Sequence, residues 1–306
     1  MINQRILKLA ISSCPNDTFA FHAWIKGLLP DAPSLEVELT DIDQLNQIAL
    51  AQEADVVKIS SHAFAYLREN YALLHSGGAM GRGVGPLLVA AQNSAIPSIA
   101  TPATTCCQTE DLDSLAQALS QVSIAIPGEL TTAALLVGLL VGQARKTIVM
   151  PFDRIMPAIV AGEVAAGSII HEGRFTFESY GLRKLLDLGA WWETTSSLPL
   201  PLGGIAVRRS LSHEVKAKVE LAVHASVVHA RQNPQAAHKY ATTYAQEMAA
   251  EVCQAHIDLY VNEYTEDYGS EGAQAIQHLL ARATEIGVVP ASSQSIFWDE
   301  DIERLA

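Results

Sequence analysis

The amino-acid sequence predicts an α/β protein of two lobes that close on a small molecule held between them. Three observations carry that reading. Strand and helix patterns alternate in two separate runs, the two runs repeat at a similar interval, and two apolar segments are placed to take the chain from one lobe into the other.

In the first run, residues 7–11 form a short apolar strand, 19–28 show helical periodicity and 35–39 alternate as a strand. Residues 42–52 then form an amphipathic helix opened by Asp41 as N-cap, and 55–59 return to strand. That order implies a parallel sheet. The second run places strands at 122–126, 147–150 and 166–170, with helices at 131–140 and 154–161 between them. The step from Asp17 to Ser61 is about 44 residues and from Thr131 to His171 about 40, so polar residues recur at equivalent strand ends. Open parallel sheets bind ligands beyond the carboxyl ends of their strands, which points both sets of polar residues at one cleft.

The segments at 85–91 and 202–207 are the expected crossings. They divide the chain into a larger lobe, 1–89 with 205–306, and a smaller one, 90–204, joined by a hinge. Residues 93–113, rich in Ser, Thr, Ala and Pro, read as a loop. Helices are expected at 214–232, 234–248, 249–261 and 271–286, packed on the first lobe.

Composition narrows the function classes. A chain of 306 residues with 49% hydrophobic and 17% charged residues is that of a globular protein. The net charge of −13 offers no basic surface for nucleic acid, although helix N-termini can still hold an anion inside a cleft. The apolar stretch 133–141 is too short to span a bilayer, and residues 1–18 contain no apolar core of signal-peptide length. A cytoplasmic location is therefore expected, with no membrane partner. The four cysteines, Cys14, Cys106, Cys107 and Cys253, form no metal-type pair and are expected as free thiols.

Four strand-end segments can carry chemistry. Ser12 to Thr18 form a turn in which Asp17 or Thr18 caps the following helix or the backbone cradles a carboxylate. Gly128 to Thr132 offer two adjacent hydroxyls, Thr131 and Thr132, at another helix start. Ser60, Ser61 and His62 end one strand, and His171, Glu172 and Arg174 end another. His171 stands out because an imidazole with a pKa of about 6.5 exchanges protons near neutrality. Arg174 either meets a substrate carboxylate or pairs with an acidic neighbour such as Asp153. The glycine-rich run around Gly81-Arg82-Gly83 lacks the ending of a P-loop and the strand-to-helix setting of a dinucleotide fingerprint. His224, His229, His238 and His256 read as ordinary helix residues, and Trp191 and Trp192 as packing.

Several motifs resemble a known family, the 1,4-dihydroxy-6-naphthoate synthases of the futalosine route to menaquinone. They are Ser13-Cys14-Pro15-Asn16-Asp17-Thr18-Phe19, Lys58-Ile59-Ser60, Ser76-Gly77-Gly78-Ala79, Gly81-Arg82-Gly83-Val84-Gly85-Pro86, Ile169-Ile170-His171-Glu172, Asp187-Leu188-Gly189-Ala190-Trp191-Trp192-Glu193 and Leu198-Pro199-Leu200-Pro201-Leu202-Gly203. The resemblance implies a two-lobed fold like that of type II periplasmic binding proteins, working without cofactor or metal. It implies cyclic dehypoxanthinyl futalosine as substrate, 1,4-dihydroxy-6-naphthoate as product, His171 as the catalytic histidine, and Thr131 and Thr132 as holders of an anionic group. Asn46 and Ser60 become polar contacts from the first lobe, and Ser61, Asp17, Arg82 and Arg174 complete the candidate substrate-binding set. A chorismate dehydratase-like lyase and a non-catalytic solute-binding protein share the architecture and are the alternatives.

Overall fold

The computed structural model describes residues 6–99, 108–142, 145–245 and 249–300. Cys106 and Cys107, part of the segment expected as a loop, and the predicted end of the helix near Met248 lie outside them. Eleven strands are formed among the described residues: β1 (Leu7–Ser12), β2 (Leu35–Thr40), β3 (Val56–Ser60), β4 (Tyr71–Leu73), β5 (Ala79–Gly81), β6 (Leu87–Ala91), β7 (Ser123–Ile126), β8 (Lys146–Val149), β9 (Ala166–Ile169), β10 (Leu182–Asp187) and β11 (Leu200–Arg208).

They make two sheets. One runs β2-β1-β3-β11-β4, with β5 also paired to β11, and the other runs β10-β6-β9-β7-β8. The sheets share one plan. In each, a first strand pairs in parallel with the second and third of its own run, β1 with β2 and β3, and β7 with β8 and β9. Against the third strand then lies an antiparallel strand that crosses from the other half of the chain, β11 on β3 and β6 on β9. The interval read from the sequence thus has a topological counterpart, and the two apolar crossing segments are these visiting strands. Their near-continuous burial explains the apolar runs, since a strand covered on both faces has no solvent side to make polar.

The segments that follow β1, β2, β3, β7 and β9 meet around one cavity. Asp41 caps the helix Ile42–Leu50 by accepting from the Gln44 backbone N–H at 2.9 Å. Thr131 caps Thr132–Val141 by accepting from the Ala134 N–H at 3.2 Å. The helix expected from residue 19 instead starts at Pro15, whose fixed φ suits the first helical position, and it breaks into Pro15–Ala20 and His22–Ile25. Within the segment expected as a loop, a helix begins at Gln108 and runs to Ser120. Its acidic first turn favours a helix N-terminus, a signal outweighed in the sequence by the Ser- and Thr-rich residues before it.

The C-terminal helices His213–Gln232, Pro234–Thr242, Ala250–Tyr260 and Gly269–Glu285 pack against the first sheet and the helices after β1. The helix Ala250–Tyr260 lies on Pro15–Ala20 and turns Cys253, His256, Ile257 and Tyr260 inward. That placement brings a C-terminal helix to the rim of the cleft. No described helix is long and apolar enough to cross a membrane.

Candidate active site

The facing strand ends line a cavity of about 100 Å³, and an outer groove of about 980 Å³ adjoins it at Ile42 and Ile170. One lobe supplies Ser12, Cys14, Asn16, Asp17, Lys58 and Ser60, the other supplies Thr131, Thr132, Ile170 and His171, and the C-terminal helix adds His256 and Tyr260. The outer groove continues past Ile42 and Ile170 to Asp43, Phe152, Asp153, Glu172 and Tyr180.

His171 follows β9 with φ of +53°, a left-handed backbone that costs a non-glycine residue roughly 1–3 kcal/mol, and its imidazole lines the cavity. Its Nδ1 lies 3.4 Å and its Nε2 3.8 Å from Cys14 Sγ. Phe152 meets its ring edge-on at 5.0 Å. Burial disfavours the imidazolium, but the Cys14 sulfur, Glu172 and Asp17 together outweigh burial and raise the His171 pKa to about 9. Titration near neutrality, expected from the sequence, is therefore displaced upward.

Lys58 and Asp17 form a buried ion pair in the cavity wall. Lys58 Nζ donates to Asp17 Oδ1 at 2.7 Å, and both side chains are about 5% exposed or less. The pair also organises Asn16, whose Nδ2 donates to the same carboxylate oxygen at 2.9 Å. Asn16 Oδ1 in turn lies 3.1 Å from His256 Nε2. His256 stacks on His171 with ring centroids 6.2 Å apart and planes 23° apart. Burial, then the charge on His171, push its pKa down to about 3.

Asn46 does not reach the cavity. Its amide oxygen accepts from the Ser60 N–H at 3.0 Å and its Nδ2 donates to Ser60 Oγ at 3.1 Å and to the Leu130 carbonyl at 3.3 Å. It ties the first lobe to the loop before Thr131. Thr131 and Thr132 do line the cavity, but their hydroxyls are already engaged. Thr131 Oγ1 donates to the Gly128 carbonyl at 2.8 Å while capping its helix, and Thr132 Oγ1 donates to the Leu202 carbonyl at 2.5 Å. What the helix start offers the cavity is its first backbone N–H groups, at Thr132 and Ala133, where an anion is favoured. His62, on the far side of the same loop, is 3.2 Å from the Thr131 carbonyl through Nδ1, and burial lowers its pKa to about 4.

Besides Asn46, three sequence candidates are placed elsewhere. Ser61 is buried beside β11 and donates to the Pro201 carbonyl at 2.8 Å, outside the cavity wall. Arg82 lies at the surface, 2.9 Å from Glu271, where nothing draws it inward. Arg174 holds Asp187 at 2.7 Å and the Gly85 carbonyl at 2.9 Å, so its guanidinium fixes the start of the helix after β10 rather than an incoming carboxylate. Asp187, not Asp153, is its acidic partner. Conversely, the sequence reading left out Lys58, Cys14 and His256 as site residues. Trp192 is packing, buried with its indole N–H donated to the Pro199 carbonyl.

A family profile described as "Menaquinone biosynthesis" matches residues 7–285. The chain belongs to that family. Among curated proteins it is 43% identical over 290 residues to the 1,4-dihydroxy-6-naphtoate synthase of Streptomyces coelicolor, covering 93% of this chain and 95% of the relative. It is 40% identical to the enzyme of the same name from Thermus thermophilus, covering 95% of this chain and 98% of that one. Of solved structures, protein AF1704 of Archaeoglobus fulgidus is 34% identical with a TM-score of 0.82, covering 94% of this chain and 100% of that one. The alkanesulfonate-binding protein SsuA of Xanthomonas axonopodis pv. citri, bound to MOPS, superposes with a TM-score of 0.66 at 11% identity, over 93% of this chain and 94% of that one. The fold of this family member is thus the two-sheet fold of periplasmic binding proteins.

Proposed function

We propose that the chain is a carbon–carbon lyase that converts cyclic dehypoxanthinyl futalosine to 1,4-dihydroxy-6-naphthoate in the cytoplasm, with His171 as general base. The observation that carries the reading is the position of His171, lining the cavity between lobes and opposite a helix start suited to a carboxylate. The names of the two curated relatives support the product.

In this reading His171 takes a proton from a substrate hydroxyl, the carbon–carbon bond to the sugar-derived fragment breaks, and further proton transfer aromatises the ring. A proton affinity raised by Cys14 makes the free imidazole a strong base and lets the imidazolium keep its proton until the departing fragment needs it. Thr131 and Thr132 shape the helix start so that its N–H groups hold the ring carboxylate, and Ser60 closes the wall from the first lobe. Closure of the two lobes on the bound substrate keeps water from the intermediate.

The test is to incubate purified protein with the cyclic futalosine derivative and, separately, with chorismate, following products by chromatography and mass spectrometry. The naphthoate is expected from the first alone. His171→Asn should melt near the wild-type temperature while kcat falls at least about a hundredfold. Turnover of chorismate, or a folded His171→Asn protein with more than roughly a tenth of normal kcat, would sink the assignment.

A further inference from the structure

The cavity contains a second imidazole whose free nitrogen the proposed reaction leaves unused. His256 is only 1% exposed, yet it forms part of the cavity wall beside His171. A chain of hydrogen bonds fixes which of its nitrogens carries the hydrogen. Lys58 Nζ has only hydrogens to offer and donates to Asp17 Oδ1, so that oxygen serves as an acceptor. Asn16 therefore presents its NH₂ group to Asp17 and its oxygen to His256 Nε2. An amide oxygen also only accepts, so the hydrogen sits on Nε2 and Nδ1 is left with a lone pair. That Nδ1 is buried and has no hydrogen-bond partner among the described residues. Buried polar atoms without partners are rare in folded proteins, and each calls for an explanation in ligand binding or chemistry.

We propose that His256 is a second substrate-contacting residue, whose Nδ1 accepts a hydrogen bond from a hydroxyl of the bound substrate while His171 handles the proton. The inference rests on the reading of this cavity as the active site. The two rings suit opposite duties. The groups around them are Cys14, Asp17, Lys58, Glu172 and Tyr260, and their balance favours a proton on His171. Burial together with the neighbouring His171 charge keeps one off His256. Paired titratable groups driven apart in this way take different roles, here His171 exchanging the proton and His256 staying neutral throughout. The Lys58–Asp17–Asn16 chain supplies the positioning, because His256 cannot rotate its ring without losing the bond to Asn16.

The test combines a spectroscopic signature with two substitutions. In protein labelled with ¹⁵N-histidine, long-range ¹H–¹⁵N correlations should show His256 as the Nε2–H tautomer at pH 7 and still neutral at pH 5. Saturating 1,4-dihydroxy-6-naphthoate should move its Nδ1 resonance. A hydrogen on Nδ1, or an Nδ1 resonance that does not move when the naphthoate binds, overturns the proposal. His256→Gln puts an amide where Nε2 sits and nothing at Nδ1, so kcat/KM should fall at least about tenfold. His256→Asn puts an oxygen at the Nδ1 position and should recover most of that loss. A folded Gln variant with wild-type kcat/KM, or an Asn variant no better than Gln, also overturns it. If either variant fails to fold, the wild-type resonances decide. The His171→Asn protein separates the two levels: retained turnover there removes the active-site reading, whereas loss there beside an unaffected His256→Gln removes only the role of His256.

Discussion

Cys14 Sγ sits 3.4 Å from His171 Nδ1, so the turn after β1 in one lobe touches the residue after β9 in the other. The contact is electrostatic as well as steric, because the sulfur is the leading group that raises the imidazole against the effect of burial. Cys14→Ala should leave only Glu172 and Asp17 to oppose burial and lower the His171 pKa from about 9. A general base works when unprotonated, so kcat/KM rises with pH through this pKa, and in the variant the rise should come at lower pH. A kcat/KM profile from pH 6 to 10 checks this, and an unmoved rise would show that the sulfur does not set the proton affinity of His171.

The Lys58–Asp17 pair is expected to matter for stability more than its single bond implies. Lys58→Met leaves a buried carboxylate without its cation, a change that typically costs about 3–5 kcal/mol. Adding Asp17→Asn removes the stranded charge and should restore a large part of that loss. Urea unfolding of the two single variants and the double variant measures the coupling. If the three losses simply add, the pair is not coupled.

Gly128 permits the close approach of the lobes. Its φ is +152°, and a Cβ there would lie 2.2 Å from Asp43 Oδ1 on the first-lobe helix. Gly128→Ala should therefore cost about 1–3 kcal/mol through backbone strain and also raise KM by pushing the lobes apart. Asp43→Ala in that background should recover KM but little of the stability, since it removes the clash and not the strained backbone. Recovery of stability without KM would contradict this division.

Acid should destabilise the fold through two buried histidines. Their folded pKa values, about 4 for His62 and about 3 for His256, lie below the unfolded value near 6.5. The unfolded chain then binds more protons, and stability falls as pH drops from about 6.5 towards 4 and 3. Each histidine contributes up to about 2 kcal/mol between pH 6.5 and 5. His171 adds a slope elsewhere: its raised pKa gives stability that is lost as pH rises from about 6.5 through 9. Urea midpoints at pH 5.0 and 7.5 should show a smaller difference in His62→Gln than in the wild type.

The strand ends were legible because each strand's apolar run stops at a polar residue, as at Ser12, Ser60 and His171, and because Asp41 caps within sight of its own helix. The partners of long side chains were not. Arg82 finds Glu271 and Arg174 finds Asp187 through the tertiary fold, and nothing near Arg82 in sequence announces its choice. Lys58 carried a usable signal, a charge inside the fully buried strand Val56–Ser60, which demands a buried counter-ion. His256 carried a weaker one. Cys253, His256, Ile257 and Tyr260 form one inward stripe at helical spacing, and an imidazole on such a stripe has to meet either core or cavity. Only the packing of that helix on Pro15–Ala20 decides which.

The visiting strand β11 also constrains how the chain can be made. Ser60 at the end of β3 pairs with Gly203, and Val56 with Val207, so the first sheet keeps an open inner edge while the whole second sheet is being synthesised. At about 5–20 residues per second that edge waits on the order of ten seconds, with unpaired backbone beside apolar side chains. During translation the second sheet has every one of its strands before the first has its sixth, because β6 to β10 all precede β11. The nascent chain therefore has all the strands of its later sheet first, and the lobe begun at Leu7 receives its last strand only afterwards.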